Sequence, residues 1–221
     1  MSGIFERLKG DAAAEWRAYT NHAFVLGMGD GTLPEAAFRH YLVQDYLFLI
    51  QFARAYALGV TKADTLADMR ACAAGLSAIV DVEMQLHVKL CGDWRITPEE
   101  LESTSESRAT IAYTRYVLEA GHRGDLLDLL CALSPCVIGY AEIGRDLAAR
   151  QSSDAANPYA VWIEEYAGEA YQQVAQDARA TLNRLAAENL TDARYPRLLE
   201  LFRQATRLEA DFWEMGMTGA D

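Results

Sequence analysis

Basic side chains are scarce in this chain of 221 residues, which has 20 lysines and arginines against 32 aspartates and glutamates. The formal net charge is -12. Because a nucleic-acid-binding surface needs a basic stripe that neutralises phosphates, we expect no nucleic-acid partner. The acidic balance also gives no attraction to an anionic membrane surface. Long charge-free apolar runs of about eighteen residues are missing too, so we predict no membrane span.

Cysteine is also uncommon, and its four positions form no CxxC pair and no zinc-like spacing with histidine. The N-terminal segment MSGIFERLKGDAAAEW carries charges in its first turns and lacks the apolar stretch of a secretory signal. We therefore expect a cytoplasmic protein with free thiols. Three cysteines are predicted to be core residues, namely Cys72, Cys91 and Cys131, and Cys136 is the candidate for chemistry.

Helical periodicity, by contrast, is abundant, and no segment shows the sustained alternation of a strand. Segment 21–34, which is rich in glycine and turn residues, is predicted to be a loop. No linker divides the chain, so residues 1–221 are predicted to form a single all-α domain, a bundle of long antiparallel helices. The helices are predicted at about 3–20, 34–60, 64–91, 105–120, 124–150, 158–187 with a break near Gly168, and 192–217, with a short one opened by Thr97.

The run YLVQDYLFLIQF, residues 41–52, places a carboxylate on the most apolar face of a helix. At helical spacing, the neighbours of Asp45 are all apolar or aromatic: Phe38, Tyr41, Leu42, Phe48, Leu49 and Phe52. Glu209 has a similar setting in the last helix, near Phe212 and Trp213. Taken singly, Asp45 fits a core pair as well as a functional role. Because lone buried charges are costly, two such carboxylates on distant helices favour one shared polar pocket.

A third carboxylate on an apolar helix face, Glu83, lies four residues before His87. This spacing favours an intrahelical hydrogen-bonded pair. The alternative is that the two residues begin a metal site of the kind found in helical di-metal oxidases. The chain has only four histidines and no repeated Glu-x-x-His word, so we expect no metal and no cofactor.

The stretch LLDLLCALSPCVIGYAEIG places Pro135 inside an otherwise good helix. Proline removes one backbone donor, so a kink is expected and the carbonyl of Cys131 is freed. Cys136 fits either a small buried hydrophobe or a thiol that a nearby carboxylate activates. Tyr140 follows four residues later on the same face, and Gly139 between them leaves room for a close approach.

Five sequence motifs, in this order and spread along nearly the full chain, resemble the TenA/thiaminase II family: NHAFVLGMGDGTLPEAAFRHYLVQDYLFL, VEMQLH, LSPCVIGYAEIG, EEYAGEAY and LEADFWEMG. The resemblance implies the haem-oxygenase-like all-α fold, assembled as a homotetramer. It also implies a hydrolase of thiamin salvage, which converts 4-amino-5-aminomethyl-2-methylpyrimidine to 4-amino-5-hydroxymethyl-2-methylpyrimidine and ammonia. Many members of the family also cleave thiamin itself.

Carried over by motif, the nucleophile of this family falls on Cys136, and its two carboxylates fall on Asp45 and Glu209. Cys136 places the chain in the cysteine-bearing branch of the family. The position of Phe48 is tyrosine in many relatives, so one hydroxyl contact with the substrate is absent here. The remaining aromatic lining of the pyrimidine site falls on three tyrosines, Tyr113, Tyr140 and Tyr166, which by themselves also fit core positions.

These residue types suit the implied reaction. An inward carboxylic acid can protonate a ring nitrogen, after which the thiolate of Cys136 adds to the ring and the amine leaves. Two alternatives stay open. One is a non-catalytic pyrimidine-binding, thiamin-binding or regulatory protein that keeps the pocket, and the other is a di-metal oxidase on the same helical architecture.

Overall fold

A computed structural model of the chain describes residues 3–150 and 157–219. Within these residues the secondary structure is helical throughout, with no strand, which confirms the predicted all-α class. A π-helical segment, Ala78–Glu83, joins the fifth and sixth α-helices. The α-helices are α1 (Ile4–Asp11), α2 (Ala13–Thr20), α3 (Ala23–Asp30), α4 (Glu35–Lys62), α5 (Leu66–Ser77), α6 (Met84–Asp93), α7 (Pro98–Ser103), α8 (Arg108–Arg123), α9 (Leu126–Ala148), α10 (Ala160–Ala167), α11 (Glu169–Asn189) and α12 (Tyr195–Thr218).

The loop predicted at 21–34 is wrong, because most of it forms α3. His22 caps this helix by accepting a hydrogen bond from the backbone N–H of Phe24. Phe24, Val25 and Met28 of this helix are buried in the core, whereas Leu26 is exposed. Helix α3 ends at Gly31, whose φ of 76° is the left-handed conformation that favours glycine. Two of the glycines that suggested a loop, Gly27 and Gly29, thus lie inside this short helix, and the other turn residues lie at its ends.

Most other predicted elements are confirmed, with small changes at their boundaries. Gly168 separates α10 from α11 in extended conformation, as the predicted break requires. Thr97 accepts a hydrogen bond from the backbone N–H of Glu100 and so caps α7. The predicted helix at 3–20 is interrupted at Ala12, and the π-helical segment interrupts the one at 64–91.

The chain divides into two compact units, which are described separately. The first, Met1–Pro34 with Leu130–Trp213, is called the Cys136 unit here. The second, Glu35–Leu129 with Glu214–Asp221, is called the Asp45 unit. The prediction that residues 1–221 form a single domain stays a prediction.

Helix α4 is the centre of the Asp45 unit and packs against α5, α6, α7 and α8. The apolar face predicted around Asp45 is confirmed, since all six of its neighbours there are buried. Burying each large apolar side chain contributes about 1.5–3 kcal/mol to the stability of such a core. The face that carries Asp45 is thus held rigidly by the packing around it.

A buried ionic network fixes α9 in the Cys136 unit. Glu142 accepts hydrogen bonds from Lys9 at 2.7 Å, from the indole N–H of Trp16 at 3.2 Å and from Arg179 at 2.6 Å. Burial by itself would raise the pKa of Glu142, but the bonds from Lys9 and Arg179 lower it. Because these partners lie on α1, α2 and α11, Glu142 ties three helices to the helix that carries Cys136.

Helix α9 is also both long and strongly apolar. It is the only helix in the described part of the chain with the length and composition to cross a membrane, and 94% of its most apolar window is buried inside the fold. This burial is typical of the core helix of a soluble protein.

Candidate active site

Asp45 lies in a polar cluster inside the apolar core of its unit, with a side chain from α6 facing it. Its residue surface is 4% exposed. The hydroxyl of Tyr41, one turn earlier on α4, donates to Asp45 Oδ2 at 3.3 Å. Nδ1 of His87 lies 3.4 Å from the same oxygen, and Nε2 of His87 lies 2.8 Å from the carbonyl oxygen of Leu42. Both ring nitrogens of His87 therefore face groups of α4 rather than Glu83, which corrects the predicted intrahelical pair.

The distance between Asp45 and His87 would suit an ion pair, but burial favours the neutral form of both groups. Desolvation raises the pKa of Asp45 to about 7, and the bond from Tyr41 offsets only part of this rise. Desolvation lowers the pKa of His87 to about 4, against the effect of its bond to Leu42. Near pH 7, His87 is therefore neutral, and Asp45 can be either the neutral acid or the carboxylate.

The raised pKa of Asp45 predicts how the free energy of unfolding depends on pH. A carboxyl whose pKa rises from 3.8 to about 7 on folding contributes stability below the lower value, and this contribution is lost as pH rises through the higher one. Asp45→Asn removes that loss. The variant should therefore gain stability relative to wild type between pH 4 and pH 8, by up to about 4 kcal/mol. Urea unfolding of both proteins at several pH values measures the difference.

The opposite shift of His87 does not confound this comparison. Its pKa is lowered on folding, so its contribution is present above its ordinary pKa and is lost as pH falls through about 4. This contribution is common to both proteins and largely cancels in the difference. A difference that stays constant across the whole pH range would contradict the assignment of a raised pKa to Asp45.

The aromatic residues predicted for this unit lie together. The ring of Phe48, one turn after Asp45, has its centroid 5.1 Å from that of Tyr113, and the ring of Phe52 packs on its other side at 5.4 Å. Phe48 and Tyr113 are both buried. At the position where many relatives carry a tyrosine hydroxyl, this chain thus has the apolar ring of Phe48. The neighbouring ring of Tyr113 does carry a hydroxyl.

Gln44, which the sequence reasoning did not single out, fixes α8 against α4. Its side-chain carbonyl accepts from the backbone N–H of Ser107 at 2.9 Å and from the hydroxyl of Thr110 at 2.7 Å. Its amide donates to the carbonyl of Ser105 at 3.0 Å. Because α8 begins just after Ser107, these bonds set the position of Tyr113. The signal for this role in the sequence is the polar amide of Gln44, directly beside Asp45 in an otherwise apolar run.

In the Cys136 unit, Pro135 of the Ser-Pro-Cys motif lies inside α9 and does not end the helix. The predicted free carbonyl of Cys131 accepts a hydrogen bond from the hydroxyl of Ser134 at 2.8 Å. The carbonyl of Pro135 accepts from the hydroxyl of Tyr19 at 3.3 Å. Cys136 follows directly and is buried with 8% exposure. Side-chain donors on both sides of the proline thus hold the backbone next to the thiol.

The space beside Gly139 is occupied by the protein itself. A Cβ atom at this position would lie 2.5 Å from a ring carbon of Tyr19, so the glycine is needed for the close packing of Tyr19 on α9. Gly139 thus leaves room for a close approach, as expected, and the group that approaches is Tyr19. The small size of the glycine lets the Tyr19 hydroxyl reach the backbone beside Cys136.

Tyr140 and Tyr166 belong to a buried aromatic cluster. Their ring centroids are 5.0 Å apart in an edge-to-face arrangement. Trp162 packs 4.4 Å from Tyr166, and Trp213 packs 5.3 Å from Tyr140. Neither tryptophan was predicted as a site residue. Glu209, which is 1% exposed, lies four residues before Trp213 and so shares the face of α12 that carries this ring.

A second glycine of α9 permits this cluster and leads to a prediction. A Cβ atom at Gly144 would lie 2.6 Å from the backbone carbonyl carbon of Tyr166. Because backbone cannot rotate away as a side chain can, Gly144→Ala should destabilise the fold by about 1–3 kcal/mol and displace Tyr166. Thermal unfolding measures the loss. Gly92→Ala on α6 is the control, since nothing lies within 4 Å of its Cβ position and alanine favours a helix there.

All four cysteines are buried and lie outside any disulfide, and the thiol of Cys131 donates to the carbonyl of Leu198 at 3.3 Å. Throughout residues 3–150 and 157–219, no three histidine, cysteine, aspartate or glutamate side chains are grouped as ligands for one metal ion.

Comparison with known proteins identifies the family. The model of the TENA/THI-4/PQQC family matches residues 11–219. The chain belongs to this family. It is 38% identical over 200 residues to the aminopyrimidine aminohydrolase of Halalkalibacterium halodurans, an alignment that covers 90% of this chain and 89% of the relative. The predicted family resemblance is thereby confirmed.

Solved structures of other proteins share the architecture of this chain. A TenA family transcription regulator from Silicibacter sp. superposes with a TM-score of 0.90 and 48% identity, covering 97% of this chain and 96% of the other. A protein from Shewanella denitrificans with a heme oxygenase-like fold matches with a TM-score of 0.76 and 16% identity, covering 96% and 91% of the two chains. The predicted haem-oxygenase-like fold is confirmed by this likeness.

For this family member, the structure places the predicted site residues in two groups. Asp45, Phe48 and Tyr113 lie in the Asp45 unit, and Cys136, Tyr140, Tyr166 and Glu209 lie in the Cys136 unit. The seven side chains are buried, as a site lining requires. Their roles in catalysis and binding, and the expectation that the two carboxylates share one pocket, stay predictions.

Proposed function

We propose that this chain is an aminopyrimidine aminohydrolase of thiamin salvage. It would convert 4-amino-5-aminomethyl-2-methylpyrimidine and water to the hydroxymethylpyrimidine and ammonia, and would also hydrolyse thiamin. Membership of the family and a relative named for this activity support the proposal. The structural observation that carries it is Asp45, a buried carboxyl with a pKa of about 7, which is a proton donor suited to neutral pH.

Cys136 supplies the nucleophile in this mechanism. An acidic group protonates a ring nitrogen of the pyrimidine, and the thiolate then adds to a carbon of the activated ring. The electrons of the ring expel the amine from the exocyclic methylene, and the amine leaves as ammonia with an added proton. Water adds to the resulting alkylidene carbon. Loss of the thiolate then restores the aromatic ring and frees the enzyme.

The two carboxyl groups move the protons that these steps require. Asp45 and Glu209 would hold the ring nitrogens and the amino group and would exchange protons with them. Tyr41 can donate to Asp45 when it is ionised, which offsets the cost of a transient buried charge. The aromatic rings of Tyr113, Tyr140 and Tyr166 would stack on the planar substrate or orient it through their hydroxyls. Phe48 would contribute only an apolar contact.

We further propose that the protein works in the cytoplasm as a homotetramer, without a cofactor. Large apolar side chains exposed on α5, the π-helical segment and α6 support an interface between copies. They are Leu66, Met69, Val80, Val82, Leu86 and Val88. Light scattering tests the assembly, since a tetramer has about four times the chain mass of 24.5 kDa.

A regulatory role is the second candidate, because the solved relative from Silicibacter sp. is described as a transcription regulator. The net charge of -12 opposes direct binding of DNA. Incubating the purified protein with aminomethylpyrimidine, and separately with thiamin, distinguishes the two roles. We expect hydroxymethylpyrimidine to accumulate over many turnovers. Binding of the pyrimidine without any turnover would favour the regulatory role and overturn the hydrolase.

A further inference from the structure

His87 is a buried titratable residue that the mechanism above does not use. It is 7% exposed, and its ring spans two groups of α4. A carbonyl oxygen can only accept a hydrogen bond, so the 2.8 Å contact with Leu42 requires the proton on Nε2. In the neutral ring, Nδ1 then carries no hydrogen and is an acceptor. That acceptor lies 3.4 Å from Asp45 Oδ2.

The other groups near Asp45 in its unit do not replace this acceptor. Tyr41 donates to the same oxygen and stabilises the ionised carboxylate. Cys91 on α6 interacts with the charge of Asp45, but burial first, and then Asp45 and Glu100, raise the pKa of its thiol to about 12. Glu100 itself lies 3.8 Å from Arg39 at the exposed end of α7. Because the Tyr41 hydroxyl donates to Oδ2, the Nδ1 atom of His87 is the acceptor left among these groups for a proton on that oxygen.

We propose that His87 is a positioning residue, whose Nδ1 accepts a hydrogen bond from the carboxylic acid of Asp45 and holds its proton on Oδ2. This inference rests on the proposed aminohydrolase function. A hydrogen bond to the neutral acid favours the protonated form, in the same direction as desolvation, which raises the pKa of Asp45. In the reaction, Asp45 gives this proton to a ring nitrogen of the substrate, and the resulting carboxylate keeps its hydrogen bond from Tyr41. The proton returns to Asp45 when the ring becomes aromatic again. His87 keeps Asp45 in the proton-donating form between turnovers.

Two substitutions separate this role from simple support of α6 on α4. The amide oxygen of His87→Asn takes the place of Nδ1 and still accepts from Asp45, but the contact with Leu42 is lost. The longer side chain of His87→Gln places its amide N–H where Nε2 was and keeps the bond to Leu42, but the acceptor at the Nδ1 position is lost. A purely structural role predicts that glutamine is the better replacement.

The proposal predicts the opposite order. His87→Asn should keep kcat for ammonia release within about threefold of wild type, whereas His87→Gln should lower it by about 10- to 100-fold, a loss typical of partners that orient a functional side chain. In His87→Gln the loss of activity on the alkaline side should also move to lower pH, because the protonated form of Asp45 has lost its acceptor. Glutamine retaining more activity than asparagine, or an unchanged pH profile in His87→Gln, would overturn the proposal.

A spectroscopic measurement on wild type keeps the proposal testable if either variant fails to fold. Nitrogen-15 spectra of the histidine rings should show His87 as the tautomer protonated on Nε2 at every pH from 5 to 8. A ring protonated on Nδ1, or on both nitrogens, at neutral pH would overturn the proposal. Wild type without aminohydrolase activity would instead reject the proposed function, so the two failures are distinguishable.

Discussion

Replacing Cys136 by serine is expected to lower kcat for ammonia release from aminomethylpyrimidine by at least about 10³-fold. Serine conserves the size of the side chain, so the buried position between Pro135 and Tyr140 should stay packed. Its hydroxyl, however, is a far weaker acid than a thiol and cannot add to the ring as an anion at neutral pH. Steady-state kinetics measures the loss, and calorimetry of pyrimidine binding should show an affinity close to that of wild type.

The matched control for this experiment is Cys131→Ser on the same helix. Cys131 is buried and donates to the carbonyl of Leu198, a bond that a serine hydroxyl can also make. We expect its activity to stay within a few-fold of wild type. If Cys136→Ser is as active as Cys131→Ser, nucleophilic catalysis by Cys136 is wrong.

Asp45→Asn is expected to lower kcat by about 10²- to 10⁴-fold, the contribution of a positioned acid. Asparagine has the shape of the neutral acid and can accept the bond from Tyr41, but it has no proton to transfer. Wild-type activity should fall as pH rises through about 7, where Asp45 loses its proton, and the variant should lack this limb. Rates measured from pH 5 to 9 for both proteins test the assignment.

The control here is Asp68→Asn, a second buried carboxyl in the same unit. Asp68 accepts the hydroxyl of Thr65 at 2.6 Å at the start of α5, outside the proposed machinery. This variant should keep both the wild-type rate and the wild-type pH profile, apart from a loss of stability. An Asp45→Asn enzyme with a normal rate at pH 7 would show that another group supplies the proton.

The carboxylates could be found from sequence because each lies on a helix face whose other members are apolar. The helical period alone places Asp45 among buried residues, and the structure confirms this burial. The partner of Asp45 could not be found in this way, since His87 belongs to α6 and a helical wheel describes only its own helix. The same limit led to the incorrect pairing of Glu83 with His87.

Other features depend on packing between segments that are distant in the sequence. In the sequence, nothing distinguishes Glu142 from the other acidic residues. Its structural role follows from the hydrogen bonds that Lys9, Trp16 and Arg179 donate to it. Gly139 indicated room for a close approach, but the sequence does not reveal that Tyr19 is the residue that packs there. Helix α3 was missed because its internal glycines and the turn residues at its ends outweighed its short apolar face.

The source of the oxygen in the product decides whether the chain is a hydrolase of the proposed kind. Purified enzyme is incubated with aminomethylpyrimidine in water labelled with oxygen-18, and the hydroxymethylpyrimidine is analysed by mass spectrometry together with the ammonia released. We predict one labelled oxygen in each product molecule and one ammonia for each pyrimidine converted. Absence of both products, or product oxygen derived from O₂ rather than from water, would contradict addition of water to the exocyclic methylene.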